Sequence, residues 1–184
     1  MPNYRRNYVA GGTYFFTCVT YRRARILTTD LGRRCLRDAI HTVQDSHPFE
    51  MTAIVLLPDH LHAVWTLPPG DARYPLRWMR IKEEFTEAWL SNGGGELPQS
   101  VSRKKHRQRG IWQKRYWEHT VEDEDDLQRC IDCTHWNPRK HRLVACIADY
   151  PSSSFHRYVK EGEYEPGWGG VDPVPGWDEP EWGE

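Results

Sequence analysis

No run of about 18 apolar residues occurs in this 184-residue sequence, and its opening, MPNYRRNYVAGG, lacks the apolar centre of a secretory signal. Neither membrane insertion nor export is expected, and a cytoplasmic location is. Cysteine is sparse and odd in number at five, which without an export signal argues for reduced thiols rather than a disulfide framework. Ordinary packing must then supply the stability. No second Cys-x-x-Cys accompanies Cys130 and Cys133, so a zinc clasp would have to recruit Cys146 and His135 from elsewhere. Three residues apart on a helix, the two thiols read instead as part of a buried stripe.

Positive charge is missing altogether after Lys160, where eight acids stand. The formal net charge of -1 therefore conceals a basic body: residues 1–160 hold 25 bases and 18 acids, a net of +7. The remainder, EGEYEPGWGGVDPVPGWDEPEWGE, is rich in Gly, Pro and acids and has neither a helical nor a strand period. Such a composition buries too little apolar surface to offset its ordering entropy. The expected organisation is one domain over 1–160 and a disordered acidic tail over 161–184. The tail's Trp168, Trp177 and Trp182 give it aromatic surface as well as charge.

Patterning supplies the elements. GGTYFFTCVTYRR is aromatic and β-branched, a strand near 13–21. Thr29 or Asp30 caps an amphipathic helix that stops before Pro48. FEMTAIVLLP and LHAVWTLP read as two strands joined at Pro58-Asp59, and YPLRWMRIKEEFTEAWL as a second helix with Leu76, Met79, Phe85 and Trp89 inward. An exposed loop over 91–110 follows, then a fourth strand in IWQKRYWEHTV and a third helix from the acids of DEDDLQRCIDCTHWN to Asn137-Pro138. The order β, α, β, β, α, β, α predicts an α+β, ferredoxin-like antiparallel sheet with helices on one face.

LLPDHLHAVWTLPP places His60 and His62 two apart at the start of a strand. Residues i and i+2 project from one strand face roughly 6 to 7 Å apart, so two imidazoles can share a divalent ion while Leu61 turns to the core. The pair follows a Pro-Asp turn, a rim position where ligands are accessible.

PDHLHAVWTLP resembles the His-hydrophobic-His signature of single-strand DNA transposases, and specifically of the REP-associated tyrosine transposases. YRRNYVAGGTYFFT, IWQKRYWEHTV, NPRKHRLV and DYPSSSFHRYV agree with it in the same order, over about residues 3–160. The resemblance implies binding of hairpin-forming single-stranded DNA and cleavage of one strand through a covalent 5′-phosphotyrosine, assisted by Mg²⁺ or Mn²⁺, in a cytoplasmic, nucleoid-associated protein. It further implies a tyrosine in the third helix four residues before a polar side chain that completes the metal site. That spacing puts Asn137 at the polar position and Cys133 where the tyrosine belongs, and no tyrosine lies between Tyr116 and Tyr150. Fold and metal ligands are thus expected, and the nucleophile is in question. Attack by Cys133, a shift of the chemistry to Tyr116 or Tyr150, a water-using phosphodiesterase and a DNA-binding regulator without cleavage stand as alternatives.

Beside such a site the basic stretch Arg103, Lys104, Lys105, Arg107, Arg109, Lys114 and Arg115 reads as a phosphate contact. Arg5, Arg6, Arg22, Arg23 and Arg25 extend the same surface, and Tyr4 and Tyr8 can stack on unpaired bases.

Overall fold

Strand pairing follows the apolar alternation. In the computed structural model of the chain, which describes residues 6–170, β1 (Thr13–Val19) runs antiparallel to β3 (His60–Thr66), with Thr13 opposite Thr66 and Val19 opposite His60. β2 (Glu50–Leu56) pairs with the far edge of β3, and β4 (Trp117–Thr120) with the far edge of β1. The order β2-β3-β1-β4, antiparallel throughout, is the ferredoxin-like arrangement read from the sequence.

Because side chains alternate across a strand, the sheet has two apolar faces. Tyr14, Phe16 and Cys18 of β1 and Leu61, Ala63 and Trp65 of β3 meet α1 (Asp30–Ser46) and α2 (Tyr74–Ser91), which form the expected helical layer. Phe15, Ala53 and Val64 face the other way, where α4 (Glu124–Lys140) and α5 (Phe155–Glu161) build a second core around Cys130, Ile131 and Phe155. The even-numbered positions of β3 belong to this second face, so His60 and His62 lie under α4.

Local chemistry fixes the ends of the elements. Thr29 caps α1 by accepting a hydrogen bond from the Gly32 amide at 3.0 Å, and the helix stops at Ser46, ahead of Pro48. In α2 the buried line is Tyr74, Trp78, Ile81, Phe85 and Trp89. This replaces the expected line through Leu76 and Met79, because the aromatic line carries more apolar area to bury; Met79 is 46% exposed.

The stretch expected as a plain loop contains a short helix, α3 (Val101–Lys105), capped by Ser100. It is closed by Glu96, whose carboxylate accepts hydrogen bonds from Arg109 Nε at 2.9 Å and from the Gly110 amide at 2.6 Å. β4 is shorter than the fourth strand expected over 111–121; upstream of it only an isolated bridge joins Trp112 to Thr20.

α4 does not end at Asn137-Pro138. Proline within a helix forfeits one backbone hydrogen bond, and the next turn is kept: the His141 amide donates to Asn137 O at 2.9 Å, and Asn137 Nδ2 donates to Cys133 O at 2.7 Å. The acidic segment, expected to be disordered from Glu161, remains packed at first. Tyr164 is buried in the second core and stacks on Trp168 at 4.3 Å, because two large rings gain more from burial than the short run costs to order. Arg5 and Tyr4 at one end, and Trp177 and Trp182 at the other, lie outside the described residues. Among the described residues no helix is long and apolar enough to cross a membrane.

Candidate metal centre and nucleic-acid interface

The strand period brings His60 and His62 together with ring centroids 5.1 Å apart and planes nearly perpendicular. Sequence reasoning placed them at an accessible rim; they are 2% and 1% exposed. The extra turn of α4 explains the difference, since it carries His141 over the pair, its ring 4.9 Å from that of His60. One donor atom from each of His60, His62 and His141 lies within 4.8 Å of the others. His141 is the functional candidate that sequence reading missed. Its signal was available in NPRKH, where Asn137 and His141 are one turn apart on one helix face.

Each strand histidine is held by its Nδ1. Asp59 Oδ1 stands 2.6 Å from His60 Nδ1, and Thr17 Oγ1 stands 3.0 Å from His62 Nδ1. When Nδ1 carries the proton, Nε2 keeps its lone pair for a ligand, and this partnering is how metal-binding imidazoles are commonly oriented. His60 Nε2 is buried and has no hydrogen-bond partner among the described residues.

Burial lowers the His60 pKa, opposed by Asp59 and reinforced by His141. It drives His62 well below the ordinary imidazole value, assisted by His60, His141 and Lys140, with Asn137 acting in the opposite sense. Both rings are therefore neutral at neutral pH, the protonation state of a metal ligand. For Asp59, burial acts upward, but its hydrogen bond to His60 and the Arg23 cation prevail and its pKa falls below the usual carboxylate value. The two buried, neutral imidazoles of His60 and His62, with the half-buried His141 beside them, fit a divalent cation.

A family model described as "Transposase IS200 like" matches residues 8–131. A REP-associated tyrosine transposase of Haemophilus influenzae is 40% identical over 175 residues, covering 92% of this chain and 94% of that one. Its Escherichia coli counterpart is 41% identical over 172 residues, covering 92% of each. This chain belongs to the REP-associated tyrosine transposases. A solved structure of such a transposase bound to a REP hairpin superposes with a TM-score of 0.79 at 38% identity, covering 100% of this chain and 98% of that one.

In this member of the family, α4 lies across the metal candidates. Asn137 lies against His62, and Cys133 sits one turn earlier on the same helix, buried. The separate zinc reading of Cys130 and Cys133 does not assemble. Among the described residues, the candidate ligand group that includes Cys130 is completed by His119 and Asp126, and His135 is engaged with Ser154 at 2.8 Å. Cys130 packs in the second core, the buried-stripe alternative. His119 Nε2 stands 2.7 Å from Asp126 Oδ2 and ties β4 to the first turn of α4.

The basic residues divide into two kinds. Lys104, Lys105, Arg107, Lys114 and Arg115 are exposed along the stretch from α3 to the start of β4. Arg103 and Arg109 also help fold it: Arg103 Nη2 donates to Trp112 O at 2.9 Å while its guanidinium lies over the Tyr21 ring, and Arg109 pairs with Glu96. Arg6 is committed to Tyr116 and Glu118. Arg22 and Arg23 adopt left-handed backbone, φ 53° and 52°, at the turn after β1, which brings Arg23 to Asp59.

Proposed function

We propose that this chain binds hairpin-forming single-stranded DNA and holds a divalent cation, Mg²⁺ or Mn²⁺, at His60, His62 and His141, with Asn137 beside them. The observation that carries the reading is the convergence of three imidazole donors, two on neutral buried rings, at the sheet end where Arg22 and Arg23 stand. When bound, such a cation polarises a phosphodiester and offsets the charge that develops on it. The chain's own residues have simpler tasks. Asp59 and Thr17 orient the rings, α4 excludes water from them, and Lys104, Lys105, Arg107, Lys114 and Arg115 neutralise phosphates along the hairpin. The working location is the cytoplasm, on the nucleoid.

Metal-dependent strand cleavage and rejoining is the family reaction, and Cys133 stands where its tyrosine is expected. That substitution favours a second reading, a DNA-binding regulator of palindromic repeats that no longer cuts. A labelled hairpin oligonucleotide with Mn²⁺ separates the outcomes. A shifted band alone supports the regulator, a covalent protein-DNA adduct supports a working transposase, and a free 5′-phosphate product supports hydrolysis by water. No binding to the hairpin would overturn the proposal as a whole.

A further inference from the structure

The edge strand β4 and the first turns of α4 bring a second set of metal-ligating side chains together, away from His60, His62 and His141. One donor atom from each of His119, Asp126 and Cys130 lies within 4.8 Å of the others. Residues four apart on a helix share one face, which puts the Asp126 carboxylate beside the Cys130 thiol. The sheet register supplies the third donor: His119 stands opposite Phe15 of β1 and so belongs to the face that packs on α4.

The donors differ in kind, and that narrows the cation. A thiolate sulfur, an imidazole nitrogen and a carboxylate oxygen form a mixed set that zinc accepts, whereas Mg²⁺ and Ca²⁺ call for oxygen ligands. Cys130 is fully buried, while the His119 side chain keeps 24% of its surface open, so one side of the set faces solvent. The approach is negative. Glu122, Asp123, Glu124 and Asp125 are exposed in the adjoining turn, four carboxylates against the roughly half positive charge of a helix N-terminus.

Asp126 Oδ2 is engaged by His119 Nε2 at 2.7 Å and by the Glu122 amide at 3.0 Å. Oδ1 meets only a long contact of 3.4 Å from Arg129, an exposed side chain that can swing away at little cost. The tie between β4 and α4 is thus complete without a thiol, and only a cation uses all three donors at once. Burial, reinforced by Asp126 and Cys133, raises the Cys130 pKa, so metal binding here releases a proton and strengthens as pH rises.

We propose that His119, Asp126 and Cys130 form a second metal site, which takes a zinc-type divalent cation and clamps the edge strand β4 to α4. It is separate from the histidine cluster, since eleven residues of α4, roughly 16 Å of helical rise, part Cys130 from His141. The consequence is mechanical. α4 carries Cys133 and Asn137 and has His141 at its end, so a clamp near its start fixes how those side chains meet the strand histidines.

Cobalt alone is the probe, because a thiolate ligand gives Co²⁺ a near-ultraviolet charge-transfer band and the histidine cluster has no thiolate among its three donors. The full chain titrated with Co²⁺ should develop this band, and Zn²⁺ should bleach it. His60→Ala with His62→Ala should keep the band, as should Cys133→Ser, whereas Cys130→Ser should abolish it. His119→Gln should weaken cobalt binding on the order of a hundredfold, one ligand's share of a zinc site's binding free energy. At a partly exposed edge position, it reads the same loss where the buried Cys130→Ser disturbs the fold, which circular dichroism monitors. No band in the unaltered chain, a band that follows Cys133 instead of Cys130, or full cobalt affinity in His119→Gln would overturn the proposal.

Discussion

The two oxygens of Asp59 face different partners: Oδ1 is 2.6 Å from His60 Nδ1, and Oδ2 is 3.4 Å from the Arg23 guanidinium. A single carboxylate thus orients a buried imidazole and anchors an arginine at the turn after β1. Outer-shell partners of this kind typically contribute about 10- to 100-fold to metal affinity. Asp59→Asn is expected to weaken Mn²⁺ binding by that order in titration calorimetry, with the fold retained. Unchanged affinity would show that the carboxylate does not set the His60 tautomer.

Cys133 sits on α4 one turn before Asn137, the position at which the proposed reading expects a tyrosine. Cys133→Tyr is expected to restore a nucleophile there, seen as a covalent protein-DNA adduct with a hairpin substrate and Mn²⁺ on a denaturing gel. Absence of adduct from a folded variant would place the missing chemistry elsewhere than in this one side chain.

The two kinds of basic residue should respond differently to substitution. Replacing Lys104, Lys105 or Lys114 by Ala removes an exposed charge that the proposed function assigns to a phosphate. Each change should reduce the slope of log affinity against log salt by about one while leaving thermal stability unaltered. Arg109→Ala frees Glu96, whose hydrogen bonds to Arg109 outweigh the upward pull of burial and hold its pKa at about 2. The expected effect is a lowered melting temperature, measured without DNA.

His135 is buried between Ser154 and Tyr164, and burial, aided by Arg157, brings its pKa down to about 3. The folded state then binds fewer protons than the unfolded state below the ordinary imidazole value of about 6.5. Its contribution is fully present above that pH and is lost as pH falls toward 3, on the order of a few kcal/mol. Melting temperature against pH should fall over this window, and His135→Gln should flatten the fall. An unaltered profile in the variant would assign the acid sensitivity to other groups.

The sheet and its main helices were legible because their signals are local: β-branched alternation in β1 and β3, the Thr29 cap, and Pro48 after α1. His60 and His62 were legible for the same reason, since a strand's period alone places them on one face. His141 was not. Its role depends on α4 continuing through Pro138, and proline reads in sequence as a stop, while the packing of Trp136 and His135 in the second core favours another turn. The α3 region failed similarly, because the contacts that fold it join Glu96 to Arg109 and Gly110, thirteen and fourteen residues away. The burial of the histidine pair also needed three dimensions, as nothing in PDHLHAVWTLP announces the helix that covers it.

The central claim is that His60, His62 and His141 together hold one divalent cation. Anomalous diffraction at the manganese edge, from crystals of the chain grown with Mn²⁺, tests it directly. The account predicts one strong peak within coordinating distance of His60 Nε2, His62 and His141; a peak elsewhere, or none at these rings, would contradict it.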